Sequence, residues 1–528
     1  SLDKSVAFYN PSLTKLTRLN TDDMNLNTKL YLNYTKKIKD HNIALLAGYE
    51  QIYYKDDWLS GYRDNFILSD YSELNAGDVT NQQAKGTGYE WALQSYFGRI
   101  NYDYKGKYLL EANIRRDGSS RFSKNNRWGT FPSFSGGWRI SEENFMKNIQ
   151  WLSNLKITGS WGKLGNQLIG NYPYISSIVF GTNVVDHELV NSASQTDYSN
   201  SSITWEKTTV TNVALDFSLF KNTLYGTFEY YNKVTSDILL NLPIPKTMGL
   251  NASAQNAGKV RNRGWDLTLG YRNTINGFHY SVLGMLSDVR NKVISLKGGG
   301  PFYDTGTITQ EGSPIGSLFG YVCEGIFQSN EEVSSHAKQS GIVEAGDLKY
   351  KDLNGDNTID AKDRAIIGNP IPRYTYSLNF SAEYKNFDFS FLFQGIGKRD
   401  VLLTYDAILP FYNGGKVQNI HLDRWTPENK NASFPRLTTT YTNNQEISSF
   451  FVKSGAFLRL KNIQFGYNLS KKVLDKLNIK NCRLYVSADN LFELNNFWEG
   501  WDPEVSSVTS GNSYPQTRII SCGLNVKF

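Results

Sequence analysis

The sequence contains one short run in which oxygen-bearing side chains recur at the spacing of a calcium-binding loop. The run occupies residues 352–363. Its potential ligands stand at positions 1, 3, 5, 7, 9 and 12 of the run: Asp352, Asn354, Asp356, Thr358 through its backbone carbonyl, Asp360 and Asp363. Oxygen ligands of this kind suit calcium. We therefore expect a structural calcium ion that holds a long loop in shape.

Two residues depart from the usual calcium-loop pattern and leave an alternative open. Position 6 holds Asn357 where glycine is usual, and position 12 holds Asp363, which is shorter than the usual glutamate. Asparagine tolerates the left-handed backbone that position 6 requires. The alternative is a loop rich in Asp and Asn that closes on its own turns without an ion.

Aromatic residues in the predicted long loops form a second group of candidates. They are Trp58, Phe302, Tyr303, Phe411, Tyr412, Trp498 and Trp501. Exposed aromatic faces can stack on sugar rings or contact peptide side chains, and they serve equally well in loop packing or in docking a partner protein. The histidines are scattered, and neither a nucleophile elbow nor a phosphate-binding loop occurs. We expect no enzymatic activity.

The elements that carry these loops are strands with one apolar and one polar face. Between residues 374 and 384 every second residue is aromatic or aliphatic, and the residues between them are polar. After a turn at Lys385-Asn386 the apolar series resumes at Phe387 and continues to Phe393. This period of two indicates β-strands and excludes helical spacing.

The same alternation predicts about 15 strands, most of them longer than the 5–6 residues usual in soluble sheets. The predicted strands are 26–37, 42–54, 91–104, 107–117, 131–141, 154–163, 205–219, 223–235, 258–272, 278–290, 374–384, 387–393, 455–469, 481–492 and 514–528. Short turns alternate with long polar loops at 55–90, 164–204, 236–257, 291–372, 400–454 and 493–513. No run of about 18 apolar residues occurs, so helical membrane spans are excluded.

These lengths favour an all-β fold, a transmembrane antiparallel β-barrel with long extracellular loops and short periplasmic turns, over a soluble β-protein. An odd strand number cannot close a bacterial barrel whose two ends are both periplasmic. We therefore expect further strands before residue 1. The net charge of +6 is small beside 56 basic and 50 acidic residues, so a nucleic-acid partner is not indicated.

Several short stretches spread over nearly the whole chain carry a resemblance to a known family; they are 97–102, 107–113, 116–122, 129–135, 162–166, 346–356, 457–463, 485–491 and 501–504. In this order they resemble the carboxy-terminal part of SusC/RagA-like TonB-dependent outer-membrane transporters of Bacteroidetes. The resemblance implies a barrel of about 22 strands around a plug. Residues 1–528 would then be the carboxy-terminal barrel part, without the plug and the amino-terminal strands, and residues 291–372 a long extracellular loop that carries the Asp-rich run.

The resemblance also implies a location, a cargo and partners. The location is the bacterial outer membrane, in contact with lipid, and the cargo is a glycan or an oligopeptide imported with TonB-coupled energy. The implied partners are a SusD-like surface lipoprotein, TonB through the missing amino-terminal part, and a second copy of the transporter–lipoprotein pair. The alternative from another class is a surface binding or adhesion protein that transports nothing.

Overall fold

The computed structural model describes residues 14–66, 73–242, 244–511 and 513–528, and one large antiparallel sheet dominates them. The sheet's path runs through fifteen strands in chain order, each hydrogen-bonded to the next: β1 (Lys15–Ile38), β2 (His41–Asp64), β3 (Asp78–Tyr104), β4 (Tyr108–Ser119), β5 (Trp128–Arg139), β6 (Leu152–Asn166), β7 (Glu206–Leu219), β8 (Leu224–Asn241), β9 (Ala254–Ile275), β10 (Phe278–Ser295), β11 (Arg373–Tyr384), β12 (Phe387–Lys398), β13 (Phe457–Asn468), β14 (Asn481–Asp489) and β15 (Ile519–Lys527). A short strand, Glu493–Asn495, pairs with β13 off this path. The all-β prediction and its strand count are confirmed.

The hairpin of β11 and β12 shows why these residues form a sheet with two different faces. Phe380 is the register partner of Phe391, and their rings stack with centroids 5.2 Å apart. The neighbouring pair, Ser381 and Ser390, points to the opposite side. We call the side of Phe380 the apolar face of the sheet and the side of Ser381 the polar face.

Ion pairs connect side chains on the polar face. Arg115 of β4 contacts Asp117 of the same strand at 2.7 Å and reaches across β3 to Glu50 of β2 at 3.0 Å. Further along the sheet, Lys156 of β6 contacts Asp216 of the neighbouring strand β7 at 2.8 Å. The charged groups of these pairs therefore lie on the side opposite Phe380 and Phe391.

Two tyrosines lie flat on this polar face because their register partners are glycines. Tyr225 covers Gly270, and Tyr485 covers Gly523. A Cβ atom at either glycine would overlap the tyrosine ring. The glycines thus keep large side chains against the sheet and out of the space beside it.

The short turns all lie at one end of the sheet and use left-handed residues. Lys39, Lys105, Lys221 and Lys385 have φ of 53°, 56°, 57° and 55°, and at Asn276 φ is 51°. Such φ values fit the twist of tight hairpins. Rings gather beside these turns: Phe278 meets Tyr384 at 6.2 Å, and Phe387 meets Tyr467 at 4.9 Å. This row is an aromatic girdle of the kind that marks a membrane interface.

The predicted loop 55–90 is wrong, because β2 continues to Asp64 and β3 begins at Asp78. Strands β1, β2 and β3 are 24, 24 and 27 residues long, whereas a tilted bilayer crossing needs about 9–11. Beyond Tyr54 polar residues such as Lys55, Asp56 and Asp57 fall on both faces. Hydrophobic alternation therefore ends there, although the hydrogen-bonded pairing goes on.

The long connections at the opposite end fold into a compact unit with a core of its own. We call the packed parts of 296–372, 399–456 and 490–511 the loop module. Its core includes fully buried Leu318, Leu348, Leu402, Leu403 and Ile408. Its strands are Phe302–Asp304, Thr307–Thr309, Ser317–Tyr321, Cys323–Ile326, Leu348–Tyr350, Arg364–Gly368, Asp400–Leu403, Val452–Ser454 and Val508–Thr509.

The remaining elements are short. A separate hairpin pairs Ile178–Val185 with Glu188–Gln195. The α-helices are α1 (Asn330–Ser335) and α2 (Lys471–Leu477), and the 3-10 turns are Leu74–Ala76, Ile140–Glu142, Asn144–Met146, Lys246–Met248, Ala361–Asp363, Tyr405–Ala407, Tyr412–Gly414, Asn419–Leu422, Asn443–Gln445 and Ser449–Phe451. In the described part of the chain, no helix has the length and apolar character needed to cross a membrane.

Candidate functional site

The loop module contains a pocket of about 460 Å³ lined by five aromatic rings. The rings are Tyr303, Phe319, Tyr405, Tyr412 and Tyr441, and the polar lining comes from Asp304, Arg364, Gln445 and Glu446. We call this the aromatic pocket. Its volume lies within the range of small-molecule sites, roughly 300–1,000 Å³.

A four-stranded sheet forms one wall of the aromatic pocket. Its order is Phe302–Asp304, Thr307–Thr309, Ser317–Tyr321 and Arg364–Gly368. Tyr303 and Phe319 face each other with ring centroids 5.6 Å apart. The Arg364 guanidinium lies 5.1 Å from the Tyr321 ring, which holds the cation at the wall.

A second segment crosses this sheet because Gly320 lets it approach. A Cβ at Gly320 would overlap the backbone of Ile447. The backbone N–H of Tyr321 donates to the Ile447 carbonyl at 2.9 Å, and that of Phe319 donates to the Gly306 carbonyl at 2.8 Å. The backbone groups beneath the pocket are therefore already paired within the loop module.

The third wall consists of the 3-10 turns at Tyr405–Ala407 and Tyr412–Gly414. Tyr405 and Tyr412 stack at 5.3 Å with an interplanar angle of 29°. Tyr405 and Asn413 have φ of 50° and 49°, a costly conformation for residues with a Cβ, so the surrounding packing must hold it in place. Both tyrosines pack on the core of the loop module.

One hydrogen bond keeps a tyrosine at the pocket's rim protonated. The Tyr441 hydroxyl donates to Glu446 Oε1 at 2.6 Å. This bond is the main cause that raises the pKa of Tyr441 to about 12, so the phenol stays neutral at neutral pH. With Asp304 and Glu446 against Arg364, the lining carries two negative charges and one positive charge.

The seven aromatic residues predicted for binding lie in different environments in the structure. Tyr303 and Tyr412 line the aromatic pocket. Trp498 and Trp501 pack against the core of the loop module, as the packing alternative proposed. Phe302 packs against a smaller cluster beside β9 and β10, and Phe411 is 38% exposed.

Trp58 lies in a strand and not in a loop, which corrects its predicted position. In β2 it is the register partner of Thr21 and Thr87, on the same face as Glu50. Tyr54, four residues earlier on that face, stacks on Trp91 of β3 at 5.8 Å. An aromatic row therefore continues up the polar face of the long strands.

Sequence reasoning missed Phe319, Tyr405, Tyr441 and Arg364. These residues come from separate segments that meet only in the folded loop module. No local spacing marks them, and the small sheet that carries Phe319 and Arg364 has strands of only 3–5 residues.

The Asp-rich run folds as a series of turns whose carboxylates accept backbone N–H groups. Asp352 accepts from Gly355 at 2.7 Å and from Asn357 at 2.8 Å. Asp363 is fully buried and accepts from Leu353 at 2.8 Å and from Asp360 at 2.9 Å. Burial acts to raise the pKa of Asp363, but these backbone bonds outweigh it and hold the pKa below its ordinary value.

The remaining predicted ligands serve the same turns. Asn354 accepts from the N–H of Asp356 at 2.9 Å, Asp356 from that of Thr358 at 3.0 Å, and Asp360 from that of Lys362 at 2.7 Å. Asn357 has φ of 60°, as expected for position 6. Over the described residues, no group of three or more acidic, histidine or cysteine side chains converges as a metal site. Calcium binding stays a prediction.

The continuous two-faced sheet, its aromatic girdle and its long-loop rim define a transmembrane β-barrel of the outer-membrane class. The chain belongs to the family described as TonB dependent receptor-like, beta-barrel, whose model matches residues 2–491. This membership confirms the outer-membrane location.

Named relatives agree with this family. The chain is 34% identical over 524 residues to TonB-dependent receptor P3 of Formosa agariphila, covering 94% of this chain and 52% of that protein. It is 28% identical over 519 residues to TonB-dependent receptor SusC of Bacteroides thetaiotaomicron, covering 96% and 50%. The chain thus spans about half the length of the curated relatives it matches. These relatives are receptors, which confirms the prediction of no enzymatic role.

The fold is similar to a solved structure described as the RagAB peptide transporter. The TM-score is 0.85 at 24% identity, and the match covers 97% of this chain and 56% of that chain. The resemblance to the SusC/RagA-like group is confirmed.

Proposed function

We propose that this chain forms most of the barrel wall and the extracellular loops of a SusC-like transporter that imports nutrients with TonB-coupled energy. The observation that carries the proposal is the fifteen-strand sheet with one apolar and one polar face, in a chain of the TonB-dependent receptor family. The apolar face meets lipid, and the polar face lines the lumen.

The two outer strands support the idea that other parts of the protein complete the barrel. In the described sheet β1 pairs only with β2, and β15 pairs only with β14. Unpaired backbone groups in lipid cost several kcal/mol each, so the outer edges need partners. The proposal places about seven further strands, the plug and the TonB-contacting segment in the part of the protein outside this chain.

An exposed apolar hairpin supports docking of a SusD-like surface lipoprotein. Phe180 is 84% exposed and Leu189 is 76% exposed, and almost every residue of the hairpin Ile178–Val185/Glu188–Gln195 is exposed. Apolar patches of this kind mark protein contacts. A dimer of the transporter–lipoprotein pair remains part of the proposal.

The cargo is proposed to be a glycan or an oligopeptide. The aromatic pocket at the long-loop rim suits ligand capture before import. The structurally similar RagAB protein is described as a peptide transporter, and the relative from Formosa agariphila is named only as a TonB-dependent receptor.

Deletion of the gene in its host tests the proposal. Wild-type cells growing on a defined mixture of oligosaccharides and peptides remove both from the medium. The deletion strain is expected to stop removing one of these two cargo classes. The full-length gene should restore this removal, and a gene lacking the TonB-contacting segment should not. If surface binding is lost while depletion stays normal, the protein is the non-transporting binding protein of the alternative.

A further inference from the structure

The geometry points to the aromatic pocket as a binding site for a short stretch of a neutral oligosaccharide. This inference deepens the proposed function and rests on it. It assigns the pocket a ligand class, whereas the proposed function leaves glycan and peptide open.

The arrangement of the aromatic rings is the first observation that favours a sugar ligand. Tyr303 and Tyr441 stand at the rim with 66% and 69% of their surface exposed. Tyr405 and Tyr412 stack on each other deeper in the pocket. Sugar rings present flat C–H faces, and exposed aromatic faces bind such surfaces while their hydroxyls contact the ligand's polar edge.

The polar lining of the pocket is the second observation that favours a sugar ligand. Asp304 and Glu446 accept hydrogen bonds, Arg364 donates them, and Gln445 does both. A sugar hydroxyl is at once a donor and an acceptor, so it can pair with every member of this set. An aliphatic or purely aromatic ligand would leave these groups without partners.

The charge of the pocket lining favours neutral sugars over anionic ones. Two carboxylates against one guanidinium leave the lining with a net negative charge. Uronate or sulfate groups would be repelled by this lining, while neutral sugars would not.

The inner strand beneath the pocket offers a ligand few free backbone groups. The N–H groups of Phe319 and Tyr321 are already bonded to the carbonyls of Gly306 and Ile447. An extended peptide adds to a sheet through unpaired backbone groups. Recognition of a ligand above this inner strand therefore falls to side chains.

The core below keeps the rings in place before a ligand arrives. Tyr405 and Tyr412 pack on the cluster that contains Leu402, Leu403 and Ile408, all with no exposed surface. A pocket ordered in advance loses little entropy on binding.

The test measures binding to the full-length transporter in detergent by calorimetry. The probes are cellohexaose, laminarihexaose, maltohexaose, mannohexaose, xylohexaose, a galacturonate hexamer and a mixture of hexapeptides. The variants are Tyr303→Ala and Tyr412→Ala, with Tyr412→Phe as a folding control. Tyr514→Ala, at a residue that is 87% exposed and does not line the pocket, is the matched control.

We expect at least one neutral hexasaccharide to bind, with affinity about tenfold weaker in each alanine variant, the loss of roughly one stacked ring. Tyr514→Ala should bind like the wild type. The inference is overturned if no neutral hexasaccharide binds, if the alanine variants bind it normally, or if only the galacturonate or peptide signal depends on the two tyrosines.

Uptake of the same hexasaccharide by cells separates this inference from the proposed function. If both alanine variants take up the hexasaccharide as fast as the wild type, the pocket assignment is contradicted but the proposed transport function is not. Binding that depends on the pocket, without uptake in any strain, contradicts transport and leaves the pocket assignment standing.

Discussion

The barrel wall and the loop module use the same kinds of apolar residues in opposite ways. In the wall, Phe387 and Leu378 point outward and are 47% and 39% exposed. In the loop module, Leu402 and Ile408 point inward and have no exposed surface. The wall presents its apolar side chains outward to lipid, whereas the loop module buries its apolar side chains in a core of its own, as water-soluble proteins do. Substitutions in the two regions should therefore have different effects on stability.

The largest effect is expected for Leu402→Ala in the loop module. Removing a fully buried leucine leaves a cavity and costs about 2–5 kcal/mol. Chymotrypsin should then cleave the loop module of the full-length protein faster, while insertion of the barrel stays normal. Leu422→Ala, at a residue that is 71% exposed, is the matched control and should change nothing. Normal protease resistance in Leu402→Ala would show that the module has no core of its own.

A slightly smaller effect is expected for Phe391→Arg in the wall. A cation on the lipid face near the middle of a strand costs about 2–4 kcal/mol. The denaturant midpoint of the barrel in lipid vesicles should fall, and the loop module should keep its protease resistance once folded. Ser390→Arg, one residue away on the polar face, should cost much less. Equal losses at the two positions would contradict the assignment of the faces.

Acidification is expected to weaken the loop module through His421. This side chain is 1% exposed, and its Nε2 bonds the Ile408 carbonyl. Burial lowers the pKa of His421 below its ordinary value of 6.5, despite the opposing hydrogen bond. The unfolded state therefore binds more protons below pH 6.5, so the histidine's contribution to stability is lost as the pH falls through that value.

Protease resistance measured between pH 7.5 and 5.5 checks this prediction. His421→Gln should flatten the pH dependence of module cleavage, although the variant starts less stable. His187→Gln, in the exposed hairpin, should leave the profile unchanged. A wild-type module that is equally resistant at both ends of the range would contradict the prediction.

The smallest effect is expected from calcium removal. If calcium binds the run 352–363, chelation should raise protease sensitivity between residues 300 and 370, because nearby carboxylates then repel each other. Ile359 is 6% exposed and anchors the run to the module core, so the change should stay local. Equal cleavage with and without chelator would contradict calcium binding and would favour the alternative of a loop closed by its own turns.

The comparison also explains what sequence could predict. Strands such as β11 and β12 place an apolar or aromatic residue at every second position, so their faces and turns follow from local spacing. The aromatic pocket depends on contacts between Phe319, Tyr405 and Tyr441, which no period connects. The upper parts of β2 and β3 escaped prediction because polar residues such as Lys55, Asp56 and Asp57 occupy both of their faces, so no hydrophobic alternation marks them as strands.

Accessibility along β11 in the full-length protein tests the central claim most directly. Single cysteines replace residues 377–382 in a background where Cys323, Cys482 and Cys522 are serine, and a spin label on each reports contact with oxygen or with a water-soluble nickel chelate. We predict that labels at Leu378, Phe380 and Ala382 contact oxygen in lipid, and that those at Ser377, Asn379 and Ser381 do not. A uniform pattern, or the reverse alternation, would contradict the proposal that this sheet is a membrane barrel wall.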